Sequence, residues 1–401
     1  MLESAMCAVI PVTVAAQESR AAGHPDSLPQ RDVMDVISRV LHGEPKLTNA
    51  ADSERPPKVA LTVLPAFSVN PTVGVLFGVS GNAVTRLGTV PKTNLSTISA
   101  SVNYTTKKQF NVLVRTNVFT PGNAWKLEGD WRYLDTNQPT YGLGPAQPTE
   151  LEAPMDFNLL RFYETVYRAA VKNMLVGVGY HLNYYFDIVD RNAVAGFDTP
   201  FRDYNGGSTV TTSTSSGVSL NLLADTRDNP INATRGHYAR LGVRDFPTWL
   251  GSDDDWQSVE AEMRVYPRLD ARGRSVLALW GLAWLTFGRP PYLELPAIGW
   301  DYNNRSGRGY VQGRIRANDL LYGEAEYRRT LSSDGMWGVA AFLNLTSASD
   351  PGTNALQAPD VGGGVGLRVL LNKHSATNIT IDIGFGAKGS WGFFMGTGEA
   401  F

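Results

Sequence analysis

From Val59 onward the chain alternates. In the segment MLVGVGYHLNYYF, the even positions Met174, Val176, Val178, Tyr180, Leu182, Tyr184 and Phe186 are apolar or aromatic, while the odd ones include Gly177, Gly179, His181 and Asn183. Successive side chains of a strand point to opposite faces, so this period of two predicts a strand with one apolar and one polar face. The pattern recurs in Trp125, Leu127, Trp131 and Tyr133 against Lys126, Glu128, Asp130 and Arg132, and in Ile379, Ile381, Ile383 and Phe385 against Asn378, Thr380 and Asp382. The polar faces carry charges and glycines that a dry core rejects. One face is therefore expected to meet lipid or a second sheet, and the other to meet water.

Such segments fall near 59–67, 73–87, 93–105, 108–119, 124–135, 155–170, 173–189, 214–228, 236–247, 255–268, 274–288, 318–331, 335–347, 361–372, 376–387 and 390–401. An even set of sixteen, with long connections at 136–154, 190–213 and 289–317 on one side and tight turns on the other, suits a closed cylinder that crosses a membrane. The fold class expected is all-β, a 16-stranded antiparallel transmembrane β-barrel over 58–401, with a short N-terminal periplasmic helix. Trp125, Trp131, Tyr180, Tyr184, Trp391 and Phe393 stand where interfacial aromatic girdles form. A large soluble sandwich would need capping elements for its charged face, and the sequence offers none.

Ahead of the strands the period is helical. Val33, Val36, Ile37, Val40 and Leu41 share one face of a short amphipathic helix over 32–42, ended by Gly43. It lies in a polar segment, 17–57, and is read either as packed on the barrel or as a docking site for another protein. Residues 1–16 form a candidate signal peptide: MCAVIPVTVAA has the length of an apolar core and Val14-Ala15-Ala16 the small residues for cleavage, although MLES carries no Lys or Arg.

Composition narrows the classes. The net charge is −2 and charged residues are 18%, which leaves no basic footprint for nucleic acid. Cys7 is the only cysteine, so neither a disulfide framework nor a cysteine zinc site can be built. No run is long and apolar enough for a transmembrane helix, so membrane residence depends on strands. No cofactor or metal motif is present: GGGVGL and YGLGP lack the strand, helix and acid that dinucleotide binding needs, and neither GxSxG nor HExxH occurs.

One stretch concentrates opposite charges. In SGRGYVQGRIRANDLLYGEAEYRR the alternation turns Leu321, Gly323, Ala325 and Tyr327 outward, and Tyr322, Glu324, Glu326 and Arg328 into the lumen. If the connection 289–317 folds back inside, Arg308 meets Glu326 or Glu324, and Gly307 and Gly309 let its backbone lie close to the wall. At about 4 Å and an effective dielectric near 20, such a pair gains on the order of 4 kcal/mol before desolvation.

GRGY, GRIR, GEAEYR, AAFLN, GGGVGLR and the terminal Phe401, with the upstream ADTRDNPINATRG, resemble the barrel of the outer-membrane assembly and two-partner-secretion superfamily, the BamA and TamA relatives also called bacterial surface antigens. The resemblance covers about 57–401. It implies a lumen loop anchored by Arg308, Gly309 and Tyr310 on Glu326, Glu324 and the Phe342-Leu343-Asn344 strand, and a strand-loop motif at Asp225, Arg227, Asp228 and Gly236. It also implies residence in the outer membrane of a Gram-negative bacterium, with lipid and lipopolysaccharide around a monomeric barrel; if the helix at 32–42 is a docking site, a periplasmic or outer-membrane protein is the partner expected there.

Two departures stand out. Where the family carries Phe-x-Asp this chain has Asn344, so a hydrogen bond from Arg308 to that side chain would lack charge assistance. The roughly 40 residues between a cleaved signal and Val59 are too few for a POTRA domain, so the chain reads as a POTRA-less member. The function implied is assistance to insertion or passage of a protein, or a lipid, across the outer membrane, and the chain is not read as an enzyme. Pro65 in the first strand and Gly392, Gly396 and Gly398 in the last, which ends at Phe401, suggest a lateral seam between the two. The alternatives are a passive porin-like channel and a barrel enzyme of phospholipase type, for which His181 is an inward-facing candidate.

Overall fold

The computed structural model describes residues 30–42, 59–70, 74–89, 93–270, 274–302, 304–373 and 375–401. The candidate signal peptide and most of 17–57 lie outside the described residues.

Sixteen strands follow one another: Val59–Asn70 (β1), Gly74–Thr85 (β2), Ser96–Thr105 (β3), Phe110–Phe119 (β4), Trp125–Thr140 (β5), Ala153–Val171 (β6), Met174–Asp190 (β7), Ser213–Asp225 (β8), His237–Phe246 (β9), Trp256–Val265 (β10), Ser275–Gly288 (β11), Asp319–Thr330 (β12), Trp337–Ala348 (β13), Asp360–Asn372 (β14), Thr377–Phe385 (β15) and Trp391–Thr397 (β16). Each pairs antiparallel with the next in a single sheet ordered β1 to β16. β1 and β16 lie side by side, but among the described residues no ladder joins them. The ladders are uneven. β5 and β6 share sixteen residue pairs, whereas β15 and β16 share seven.

The faces divide as the alternation requires. On β12, Leu321 and Tyr327 are exposed while Tyr322, Glu324, Glu326 and Arg328 are buried. Trp125, Trp131 and Tyr184 stand on the outer face, and the stacked pair Trp131–Phe162, with ring centroids 5.8 Å apart, extends that aromatic surface. An apolar outer face favours hydrocarbon, and the ladders satisfy its backbone.

The inner face was expected to be wet, and in one half it is dry. The segment 289–318 between β11 and β12 enters the lumen, and Ile298, Tyr310 and Ile315 from it pack with Trp280 of β11, Tyr322 of β12 and Phe401 in one buried cluster. A second buried cluster joins Leu134, Phe157 and Tyr185 of the wall to Tyr292, Leu293 and Leu295 and to Phe201 of the short helix Pro200–Tyr204. Enough apolar loop surface is available to bury the inner wall, provided the charges there are paired.

Before the barrel, Val33–His42 forms helix α1. Its start is fixed by a reciprocal cap: the Asp35 amide donates to Asp32 Oδ1 at 2.7 Å and the Asp32 amide to Asp35 Oδ2 at 3.2 Å. The same residues tie it to the short-turn end of the barrel. Arg31 N–H donates to the Asp334 carbonyl between β12 and β13, the Lys373 amide donates to Asp32 Oδ2, and Lys373 Nζ lies 2.7 Å from Asp35 Oδ2. The start of the helix is thus bound to the barrel itself.

Candidate functional site

The loop turns at Gly307 and Gly309, with φ of +80° and +100°, a region that glycine enters at little cost. Between them Arg308 extends to the wall. Its guanidinium contacts Glu324, lies 2.6 Å from Glu326 and 3.0 Å from Asp382 of β15, and covers the Phe342 ring at 3.8 Å from its centroid. Tyr310 follows, with its hydroxyl donating to the Val361 carbonyl at 2.9 Å and accepting from the Ala387 amide at 3.1 Å.

Why the wall is glycine-rich here is steric. A Cβ on Gly384 would stand 2.8 Å from the Gly309 amide nitrogen, and one on Gly386 would stand 2.6 Å from the Tyr310 ring. The GRGY turn therefore lies directly on the backbone of β15, in a groove that side chains would fill.

Asn344 does not accept a hydrogen bond from the Arg308 guanidinium. Its Nδ2 donates to the Arg308 backbone carbonyl at 2.9 Å. The further carboxylate comes instead from Asp382, two strands away from β13. Asp382 was legible as inward-facing from its strand, but the reach of Arg308 across three strands leaves no mark in local sequence.

The charges continue past Arg308. Glu326 also meets Arg328 at 2.5 Å and Arg368 at 3.2 Å, and Arg368 contacts Asp382 and lies 2.8 Å from Glu399. Here a sequence expectation fails. The last strand was expected to run to Phe401 along the seam, but β16 stops at Thr397 and Gly398 turns the chain at φ +79°. Glu399 is drawn inward by Arg368 and by Asn378 Nδ2 at 2.7 Å. Phe401 packs on Trp280, with centroids 5.2 Å apart, while its carbonyl accepts from Arg328 at 2.8 Å. Phe401 is thus a lumenal residue, and the strand is diverted by buried ion pairs that exist only after folding.

At the remaining seam positions, Pro65 is exposed and pairs with Val79 of β2, while Gly392 pairs with Gly384 and Gly396 with Thr380. The strand-loop motif forms a rigid bridge at the short-turn end. Asp225 holds Arg227 at 2.7 Å, and Asp228 accepts from the amides of Thr234 and Arg235. Gly236 turns at φ +92°. Burial pulls the Arg227 guanidinium down, but the hydrogen bond and charge of Asp225 outweigh it and hold the group above its ordinary pKa. Asn229 and Asn232 then donate to the carbonyls of Ser375 and Ala376 between β14 and β15, so the bridge crosses to the strands beside the seam.

A second attachment of the loop carried no sequence signal. Tyr302 donates its hydroxyl to Glu128 Oε1 at 2.8 Å, its ring lies under the Arg240 guanidinium at 4.0 Å, and its carbonyl accepts from Arg115 at 3.1 Å. The loop is therefore pinned on opposite walls, by Arg308 to β12 and β15 and by Tyr302 to β4, β5 and β9. His181 Nε2 and Ser219 Oγ are 2.7 Å apart. His181 Nδ1 has no hydrogen-bond partner among the described residues, and neither side chain lines the cavity beside the loop. Without a group to orient the imidazole or space for a substrate, the pair carries no catalytic proposal.

No family model matches the sequence, and no curated protein matches it. Solved structures do. BamA from Haemophilus ducreyi lacking POTRA domains 1–3 is similar with a TM-score of 0.58 at 12% identity, over 86% of this chain and 70% of that one. CdiB from Acinetobacter baumannii gives 0.51 at 13%, over 85% and 60%, and CdiB from Escherichia coli gives 0.53 at 8%, over 86% and 63%. The sheet of sixteen strands with its inserted loop therefore has the fold of the BamA and CdiB barrels.

Proposed function

We propose that the chain is an outer-membrane barrel of a Gram-negative bacterium that assists a protein, or a lipid, to insert into or cross that membrane, using its lumen loop and a lateral seam between β1 and β16. The observation that carries this reading is the unladdered meeting of β1 with β16, beside a last strand that leaves the sheet at Gly398. Unpaired strand edges are costly in lipid, and an edge that is available can template an incoming strand by β-augmentation. The exposed outer row Val59, Leu61 and Val63 of β1 supports a lipid-facing edge at that position. Arg308, Glu324, Glu326 and Asp382 serve in this reading to seat the loop.

Disulfides test it. In a Cys7→Ser background, cysteine pairs scanned along Val59–Asn70 and Trp391–Thr397 should lock the seam, and locked protein should lose assisted insertion of a client strand protein into liposomes, with activity returning on reduction. Unimpaired activity in the locked state would remove the seam from the mechanism.

A further inference from the structure

We propose that the space between the lumen loop and the β3–β5 wall is a passage for small anions, an activity beyond the assembly role above. The space is a cavity of about 1060 Å³. Its lining runs from Gly122, Asn173 and Asp228 in the turns at the short-turn end up to Gln109 and Gln138 near the opposite rim. At roughly 30 Å³ per molecule it has room for about 35 waters. The loop does not collapse into it, because the loop is held from both sides: Arg308 fixes one flank to β12 and β15, and Tyr302 fixes the other to Glu128, Arg115 and Arg240. Arg132 adds a contact to Asn304 at 3.1 Å beside Tyr302. The void is therefore a fixed feature of the lumen.

Its chemistry selects by charge. Hydroxyl and amide side chains such as Thr97, Ser99 and Asn117 line the wall beside apolar ones such as Leu113, Leu134 and Leu223, a mixed surface whose polar groups can hydrate a passing ion. Eight Lys and Arg side chains line the cavity against four Asp and Glu. Most of the cations are paired, but Arg86, Lys172 and Arg305 have no carboxylate in ion-pair contact among the described residues. Arg86 and Lys172 stand in turns at the short-turn end, and the Arg305 guanidinium at the loop tip lies 3.5 Å from the Thr397 carbonyl at the same end, so uncompensated positive charge gathers at that mouth of the passage. A low-dielectric wall concentrates such a field. A mean potential of about one kT favours an anion over a cation by roughly sevenfold.

The test uses the full chain in planar bilayers under a KCl gradient, with insertion established beforehand by protease protection and β-type circular dichroism in the same lipid. The wild-type reversal potential should report chloride over potassium by about sevenfold. The combined Arg86→Glu, Lys172→Glu and Arg305→Glu variant turns an excess of four positive lining charges into an excess of two negative ones, and its preference should reverse. Tyr302→Ala frees the loop tip, and it should raise conductance while the anion preference stays. Inserted wild-type protein that conducts nothing, or that prefers potassium, overturns the proposal. So does a triple variant whose reversal potential equals that of the wild type.

Discussion

Replacing Arg308 with Met removes one cation from a buried group of three arginines and four carboxylates, and the structure says which carboxylate suffers. Glu326 keeps Arg328 and Arg368, and Asp382 keeps Arg368. Among the described residues Glu324 keeps only the Tyr322 hydroxyl. A buried ion pair broken on one side costs about 3–5 kcal/mol, since the remaining charge is desolvated and unpaired. Loss of the guanidinium over Phe342 adds about 1–2 kcal/mol. Arg308→Met should therefore destabilise the barrel by about 4–7 kcal/mol, the sum of those two effects. Neutralising the orphan by adding Glu324→Gln should recover the first part and leave a deficit of about 1–2 kcal/mol. Adding Glu326→Gln instead should recover nothing, because Glu324 stays orphaned while Arg328 and Arg368 give up one of their two shared carboxylates and keep Glu399. Equilibrium denaturant unfolding in detergent, followed by the nine tryptophans, measures all four proteins. If Arg308→Met/Glu324→Gln is no more stable than Arg308→Met, the assignment of Glu324 as the orphan is wrong. A charge swap of Arg308 with Glu326 is the poorer probe, since it places a new arginine against two others.

Two further outcomes are expected. Gly386→Ala puts a methyl where the Tyr310 ring lies, so the ring must leave Val361 and Ala387 at a cost of about 1–3 kcal/mol. Tyr310→Ala should cancel most of that cost in a double-mutant cycle, and additive losses would show that the two never compete for the same space. Lys373→Asp sets two carboxylates face to face and should loosen α1 on the barrel, with the backbone bonds of Arg31 and residue 373 as its remaining ties, while moving the unfolding midpoint little, because a partly exposed pair contributes at most about 1 kcal/mol. A spin label at Met34 should become more mobile, and adding Asp35→Lys should quiet it again; a label indifferent to both changes would mean the helix is held elsewhere.

The strands were legible where lipid is the solvent. In β7 every second residue from Met174 to Phe186 is apolar, and a strand in hydrocarbon tolerates little else. Legibility stops where the wall leaves the apolar zone. β5 continues through Asn137, Gln138 and Pro139 to Thr140, a stretch read as loop because it has no apolar alternation, yet its ladder with β6 persists and its inward Gln138 and Thr140 are buried against the lumen loop at Gln312 and Tyr292. Apolar residues at 391, 393 and 395 suggested a strand running on to Phe401, and the pull of Arg368 and Arg328 on the tail depends on residues 31 and 73 positions away. The charged GRGY–GEAEYR pairing was readable because loop and strand adjoin in sequence. Tyr302 was not, since its partners Glu128 and Arg240 lie on strands far from it in the chain, and a tyrosine in a polar loop has no pattern to betray it. The cap of α1 by Asp32 and Asp35 went unread, and their second duty toward Lys373 required the barrel turn to be in place.

The unequal ladders have a mechanical consequence. A cylinder held by sixteen residue pairs between β5 and β6, seven between β15 and β16, and, among the described residues, none between β16 and β1 is stiff on one flank and compliant on the other. Thermal strain in such a hoop gathers at its weakest stave, so amide protons of β16 and the leading edge of β1 should exchange with solvent long before those of β6 and β7. Deformation imposed anywhere on the wall, by bilayer tension or by a body wedged inside, is then relieved at that one line.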